Sequence, residues 1–319
     1  MTRDHGGNLD AAMRDYGGDD WLDLSTGINP RAYPVPPLPP RAWTALPTRA
    51  DMAALTDAAR QAYRSPVPLV PLAGAQAAIQ ALPRIAPGRT ARVLAPTYNE
   101  HAGALRQAGW QVEGVASLDD LTGADLAVIV NPNNPDGRVA EPETLERIAA
   151  GVGTLVVDES FGDVTPELSI APRLDRLPNV VVLRSFGKFF GLAGLRLGFA
   201  LAAPSLADAI RAEAGPWPVS GAAIHVGRIA LLDGDWQAQT RARLTRDAHR
   251  LDKLAMAAGW GVLGGCDLFR TYVTPDAAAA QDRLARARIW SRIFPYSDTW
   301  LRLGLPDGDG WPRLEDTLN

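Results

Sequence analysis

NVVVLRSFGKFFGLAGLRLG, residues 179–198, is a short apolar run that ends at a polar turn and then holds a lysine among glycines. The chain uses thirty arginines but only two lysines, Lys188 and Lys253. A guanidinium stays protonated, whereas an amine whose pKa falls by desolvation or nearby charge can attack a carbonyl and form an imine. Position 188 is therefore a candidate for amine chemistry that arginine cannot perform. Alone, a lysine in a glycine-rich turn is an ordinary solvated residue, so the case depends on what surrounds it.

Working outward, ARVLAP (91–96), DLAVIVNP (125–132) and GTLVVDES (153–160) are further short runs rich in Val, Leu and Ile. Stretches of helical period separate them, at 101–108 and 142–150. Buried strands alternating with helices predict an α/β fold, a mostly parallel sheet with helices on both faces. Residues 9–16 read as a short helix in a Gly- and Asp-rich arm, 51–64 as a helix, and 68–85 as an extended piece, a turn and a helix. After Leu201 long helices follow at 204–214, 222–232 and 237–258. Strands at 268–273 and 299–303 then close a smaller αβ unit. The expected organisation is an arm (1–30), a large domain (31–205) and a small C-terminal domain (206–319). The proline-dense NPRAYPVPPLPP (29–40) reads as an extended crossing segment rather than a recognition ligand.

Ligands of open parallel sheets bind beyond the carboxyl ends of the strands. Four successive runs deliver Thr97-Tyr98-Asn99-Glu100, NPNNPDG (131–137), Asp158, and Ser185 with Lys188 to that edge. Singly, Asp158 reads as a helix cap and NPNNPDG as a turn. Together they supply a flat ring, an amide, a carboxylate and an amine. Pyridoxal 5'-phosphate requires that set: a carbonyl partner for the amine, an acid beside its ring nitrogen and a surface to stack on. Two anion sites are available for its phosphate. One is the Gly74-Ala75-Gln76 turn before a helix; the other is Ser185 with Arg196, where intervening glycines allow close backbone approach.

The motif order then resembles the fold-type-I pyridoxal-phosphate enzymes of the aspartate aminotransferase superfamily: GAQ (74–76), PTY (96–98), NPNNPDG, DESF (158–161), SFGK (185–188) with Arg196, and LRLGLP (301–306). The resemblance implies that fold, with a mostly parallel sheet sandwiched by helices and a smaller C-terminal αβ domain. By that resemblance Lys188 forms the imine and Asp158 pairs with the ring nitrogen. Asn134 bonds the ring hydroxyl and Tyr98 stacks on the ring. Ser185, Arg196 and the Gly74, Ala75 and Gln76 turn hold the phosphate, and Arg302 receives the substrate carboxylate. Two departures stand out. Phe161 occupies a position where many relatives have tyrosine, and Leu46-Pro47 replaces a Tyr-Pro that reaches a partner's cofactor.

HGGN (5–8), LSTGINP (24–30), PTYNEHA (96–102) and RIFPYSDTWLRLGLP (292–306) are similar to the threonine-phosphate decarboxylase branch of cobalamin biosynthesis. That branch converts L-threonine O-3-phosphate to (R)-1-aminopropan-2-yl phosphate and CO₂. It implies His5, Asn8 and Arg292 near the substrate phosphate, with Asn29 as a further substrate-binding residue. The alternative is an aminotransferase of a phosphorylated substrate such as histidinol phosphate, because the cofactor motifs serve both reactions. A ligand-sensing regulator and a scaffold that binds no cofactor are weaker rivals.

Bulk properties narrow the rest. A net charge of −4 gives no sign of nucleic-acid or anionic-membrane binding. The single Cys266 excludes an internal disulfide, and neither a secretory leader nor a membrane span is evident. Cys266 and His5, His101, His225 and His249 have no metal-ligand spacing, so no metal is expected. The expectation is a cytoplasmic enzyme acting on a small phosphorylated amino acid, homodimeric by resemblance.

Overall fold

The computed structural model describes residues 5–319. The chain forms two compact units. One comprises Tyr33–Asn134 and Val139–Trp236; the other comprises the segment ending at Ala32, Pro135–Arg138 and Gln237–Asn319. The boundary expected at 205 therefore falls at 236. Helices Pro204–Ala214 and Gly221–Leu232 belong to the larger unit because their apolar residues, among them Ala207 and Ile210, pack into its core. The arm, in turn, is part of the smaller unit.

The larger unit is built on a seven-stranded sheet. Its strands are β1 (Leu69–Leu72), β2 (Thr90–Leu94), β3 (Gln111–Val115), β4 (Leu126–Val130), β5 (Thr154–Asp158), β6 (Val180–Ser185) and β7 (Gly198–Ala202), in the order β1-β7-β6-β5-β4-β2-β3. The pairs from β6 through β3 are parallel, while β7 runs antiparallel to both neighbours. β4 and β5 are buried at every position, as expected of strands covered on both faces. Helices α1 (Arg49–Tyr63), α2 (Ala75–Ile85) and α3 (Asn99–Gln107) follow in chain order. Ile79 and Leu82 of α2 pack with Val156, Val181 and Leu183 on one face.

The carboxyl ends of β2, β4, β5 and β6 lie side by side, so the loops that follow them share one edge. The antiparallel β7 adds a constraint. Gly198 is registered between Ser185 and Leu72, which brings the turn after β1 to the end of β6. A Cβ at Gly198 would fall 2.4 Å from the Ala75 nitrogen, so only glycine permits this approach.

The smaller unit holds a four-stranded antiparallel sheet of β8 (Gly261–Cys266), β9 (Phe269–Val273), β10 (Arg292–Phe294) and β11 (Ser297–Gly304), ordered β10-β11-β9-β8. Leu22–Asp23 pairs in parallel with Ile289–Trp290 and ties the arm to this unit. The inserted Pro135–Arg138 is fastened to it as well. Thr271 Oγ1 donates to the Pro135 carbonyl at 2.5 Å, and Gly137 lies so close to Gly265 that any side chain would collide.

Candidate active site

Lys188 sits in the loop leaving β6, and aromatic packing fixes that loop. Phe186 and Phe190 stack with centroids 4.1 Å apart, and Phe190 continues the stack onto Trp236. Tyr33 adds an edge contact to Phe190 and donates its backbone N–H to the Phe190 carbonyl. Such aromatic pairs bury large area with defined geometry. The backbone on either side of Lys188 is thereby held while its side chain enters a cleft.

The expected cofactor residues Gly74, Ala75, Gln76, Tyr98, Asn134, Asp158, Ser185, Lys188 and Arg196 line that one cleft. Ser160 and Phe161 line it too. The Lys188 Nζ lies 5.5 Å from the centroid of the Phe161 ring.

The two anion sites read from sequence are one place. Gly74 caps α2 with φ +79°, and a Cβ there would lie 2.6 Å from Arg196 Nη2. The guanidinium also donates to the carbonyls of Ala73 and Ala193. No side chain caps α2, and the helix begins at Ala75 and Gln76, which line the cleft. First-turn amides, the positive end of the helix dipole and a guanidinium thus converge on one spot, a strong site for a phosphate.

At the other end lies Asp158, 2% exposed. His101 Nε2 is 2.7 Å from Asp158 Oδ2, and the Ser160 hydroxyl and backbone N–H both donate to Oδ1. Burial pushes this carboxyl up. The bonds from His101 and Ser160 outweigh that push and hold it below the usual carboxylate range. An ionised, desolvated carboxylate suits a partner that must keep an N–H⁺.

His101 was not singled out in sequence beyond its lack of metal spacing. The readable signal is its place three residues after Tyr98 at the start of α3, which puts both on one side of the helix. Gln76 and Glu100 link the cleft's parts: the Gln76 side-chain amide donates to Glu100 Oε2 at 2.8 Å, and Tyr98 Oη stands 3.5 Å from Gln76 Oε1.

These features fit pyridoxal 5'-phosphate. Lys188 would supply the amine for its carbonyl, Asp158 the acid for its ring nitrogen, and the glycine cradle at residue 74 with Arg196 the site for its phosphate.

The expected substrate residues lie in the smaller unit. Arg302 on β11 is registered opposite Arg292 on β10, is 6% exposed, and donates from Nη2 to the Ser25 carbonyl at 2.5 Å. Burial, followed by the neighbouring Arg292, pulls the Arg302 pKa down to about 10. Asn29 is buried and accepts from Arg243 Nη2 at 2.6 Å. Gly7 donates its N–H to Ser25 Oγ, and Gly6 is pressed against the Ser25 carbonyl. Asn8 instead caps the helix Leu9–Tyr16, accepting from the Ala11 N–H. HGGN, LSTGINP and the tail motif therefore meet around Ser25. His5 precedes these glycines and is exposed.

Among the described residues no cluster of His, Cys, Asp or Glu is arranged to hold a metal ion, and no helix is long and apolar enough to cross a membrane.

Sheet, lysine loop, acid and phosphate cradle together define a fold-type-I pyridoxal-phosphate enzyme. The family model for aminotransferase class I and II matches residues 46–309. The chain belongs to that family. It is 46% identical to a threonine-phosphate decarboxylase of Sinorhizobium sp, covering 98% of this chain and 97% of that one. It is 47% identical to a threonine-phosphate decarboxylase of Pseudomonas aeruginosa, covering 99% and 97%. In fold it resembles the histidinol-phosphate aminotransferase of Sinorhizobium meliloti solved with pyridoxal-5'-phosphate, with a TM-score of 0.83, 19% identity, and 100% and 94% of the two chains covered.

Proposed function

We propose that this chain decarboxylates L-threonine O-3-phosphate to (R)-1-aminopropan-2-yl phosphate and CO₂, the step that supplies the aminopropanol linker of cobalamin. The observation that carries the reading is the gathering of Arg302 and the arm glycines around Ser25, with Arg292 registered opposite Arg302, in a chain similar over nearly its full length to two threonine-phosphate decarboxylases.

Bound pyridoxal phosphate supplies an electron-accepting ring for the bond broken at Cα. Lys188 would hold the cofactor through its side-chain amine. Asp158, kept ionised by His101 and Ser160, holds a proton on the ring nitrogen. Gly74, Ala75, Ser185 and Arg196 fix the phosphate end, so the ring cannot swing. Arg302 receives the substrate carboxylate, while Arg292, Asn29 and His5 receive its phosphate. A decarboxylase and an aminotransferase would share these cofactor residues and differ in which bond at the substrate Cα the protein presents for cleavage, the one to the carboxylate or the C–H. Orientation by these cations therefore selects the reaction. Asn8 caps the arm helix through its Oδ1, and its side-chain N–H groups are the donors it would offer the substrate phosphate.

Purified protein supplied with threonine phosphate and no keto acid is expected to release CO₂ and one equivalent of the aminopropyl phosphate. Absence of CO₂, with amine transfer from histidinol phosphate to 2-oxoglutarate, would overturn the reading in favour of the aminotransferase alternative.

We also propose a cytoplasmic homodimer. Trp43, Leu46, Val35 and Trp217 are large apolar side chains of the larger unit and are exposed, with Trp43 at 70%. That exposure is what a partner copy would cover.

A further inference from the structure

Behind the cofactor edge, on the opposite face of the same strands, lies a buried ionic cluster that the chemistry does not use. Strand alternation turns Asp158 and Ser185 toward the cleft and their neighbours Glu159 and Arg184 away from it. Arg184 is 2% exposed and Glu159 1%. Arg184 Nη1 donates to Glu159 Oε2 at 2.7 Å, and Nη2 donates to Asp163 Oδ1 at 2.5 Å. Glu159 also accepts from the Ser169 hydroxyl at 2.5 Å and the Ile170 N–H at 2.9 Å. The guanidinium stacks over the Tyr63 ring at 4.4 Å, and Gly162 leaves the room it needs: a Cβ there would stand 3.0 Å from Nη1.

Burying such groups costs several kcal/mol per ion, and well-packed apolar replacements are often as stable or more so. Fold stability is therefore a poor account of why three charges are kept here. Their placement gives a better one. Arg184 stands one residue before Ser185, at the end of β6. Its two carboxylate partners bracket the turn 158–163, whose other side carries Asp158, the Ser160 that bonds it, and the Phe161 beneath Lys188. One planar fork thus ties the ends of two adjacent strands and sets the turn between the ring-nitrogen acid and the lysine's floor. A guanidinium can do this because it presents two parallel donors in fixed geometry.

We propose that Arg184, acting through Glu159 and Asp163, is a positioning residue that holds Asp158 and Phe161 in register with Lys188 for the bound cofactor. This inference rests on the pyridoxal-phosphate assignment.

The test compares the parent with the triple variant Arg184→Met, Glu159→Leu, Asp163→Leu, each stripped of cofactor and titrated with pyridoxal phosphate. The triple variant is expected to melt no lower than the parent. Its cofactor affinity should fall about tenfold or more, which corresponds to ~1.4 kcal/mol. The visible circular dichroism per bound cofactor, which reports how the ring is seated, should also be reduced at saturation. Parent-like affinity and dichroism in the triple variant would overturn the proposal. If that variant does not fold, Arg184→Lys serves the same purpose, since it keeps the charge but loses the fork. A weaker affinity and altered dichroism are expected there too, and parent-like values would overturn the proposal equally. Failure of the parent itself to form a borohydride-fixed adduct at Lys188 would instead count against the cofactor assignment.

Discussion

His101 Nε2 stands 2.7 Å from Asp158 Oδ2, with both side chains 3% exposed. Burial pushes the Asp158 carboxyl up, and this contact together with the bonds from Ser160 outweighs it, so the acid stays ionised. Replacing His101 with leucine leaves burial unopposed at that point and raises the Asp158 pKa toward its neutral form. Turnover should fall, by about tenfold for each unit by which the Asp158 pKa comes to stand above the assay pH. Steady-state kinetics on protein saturated with cofactor checks this.

The same pair sets an acid response. The Asp158 pKa lies below its unfolded value. Its stabilisation is therefore present above the unfolded carboxyl pKa, near ~3.9, and is lost as pH falls through the depressed folded value. Cofactor-free parent should lose stability steeply below about pH 4. His101→Leu should be weaker at pH 7 and flatter with acid. Urea midpoints between pH 3 and 7 measure both.

Gly74 combines φ +79° with a 2.6 Å approach to Arg196. Alanine at this position meets left-handed strain of about 1 kcal/mol. It also displaces the guanidinium from the phosphate end of the cleft. Gly74→Ala should bind pyridoxal phosphate at least tenfold more weakly, a loss of about 1.4 kcal/mol, while melting only slightly lower without cofactor. Equilibrium titration of the visible band decides it.

Arg302 is held at a cost. A base whose pKa is drawn down to about 10 is less favourably charged in the fold than in the unfolded chain. At neutral pH that difference is of order 3 kcal/mol against the fold. Arg302→Met should accordingly melt at the same temperature or higher, yet lose at least about a hundredfold in kcat/KM for threonine phosphate. A large fall in melting temperature would show that the side chain is there for structure.

Trp43, the most exposed large apolar side chain of the larger unit, supplies the check on assembly. Trp43→Glu should shift the protein toward monomer in sedimentation without disturbing its own fold, because the ring makes little use of the core.

Strands β4, β5 and β6 were legible because a strand buried on both faces is apolar along most of its length. The edge strand β3 reads QVEGV and is mostly exposed, so no continuous run announces it. β7 was missed for a different reason. Its antiparallel register, which places Gly198 between Ser185 and Leu72, belongs to the assembled sheet and not to any local pattern. The domain boundary failed because composition changes near 201, whereas packing keeps helices 204–214 and 221–232 with the sheet. In the cleft, the residues that follow strands were readable from topology alone. His101 was not, since a histidine scanned for metal spacing conceals a role that depends on a carboxylate more than fifty residues away. The merging of the two anion sites depends on a glycine contact that only folding creates.

The smaller unit is spliced from three stretches, and the middle one, Pro135–Arg138, begins at the peptide bond after Asn134. This has a consequence for exchanging specificity between relatives. A chimera that crosses over once, at residue 236, would seat a foreign Thr271 equivalent on a resident Pro135 and a foreign Gly265 equivalent on a resident Gly137. The transplantable cassette is discontinuous: the arm, the tetrapeptide and the C-terminal segment from Gln237 travel as one heritable part. A recombination library that moves all three should retain folded, cofactor-binding members far more often than one that moves the C-terminal segment alone.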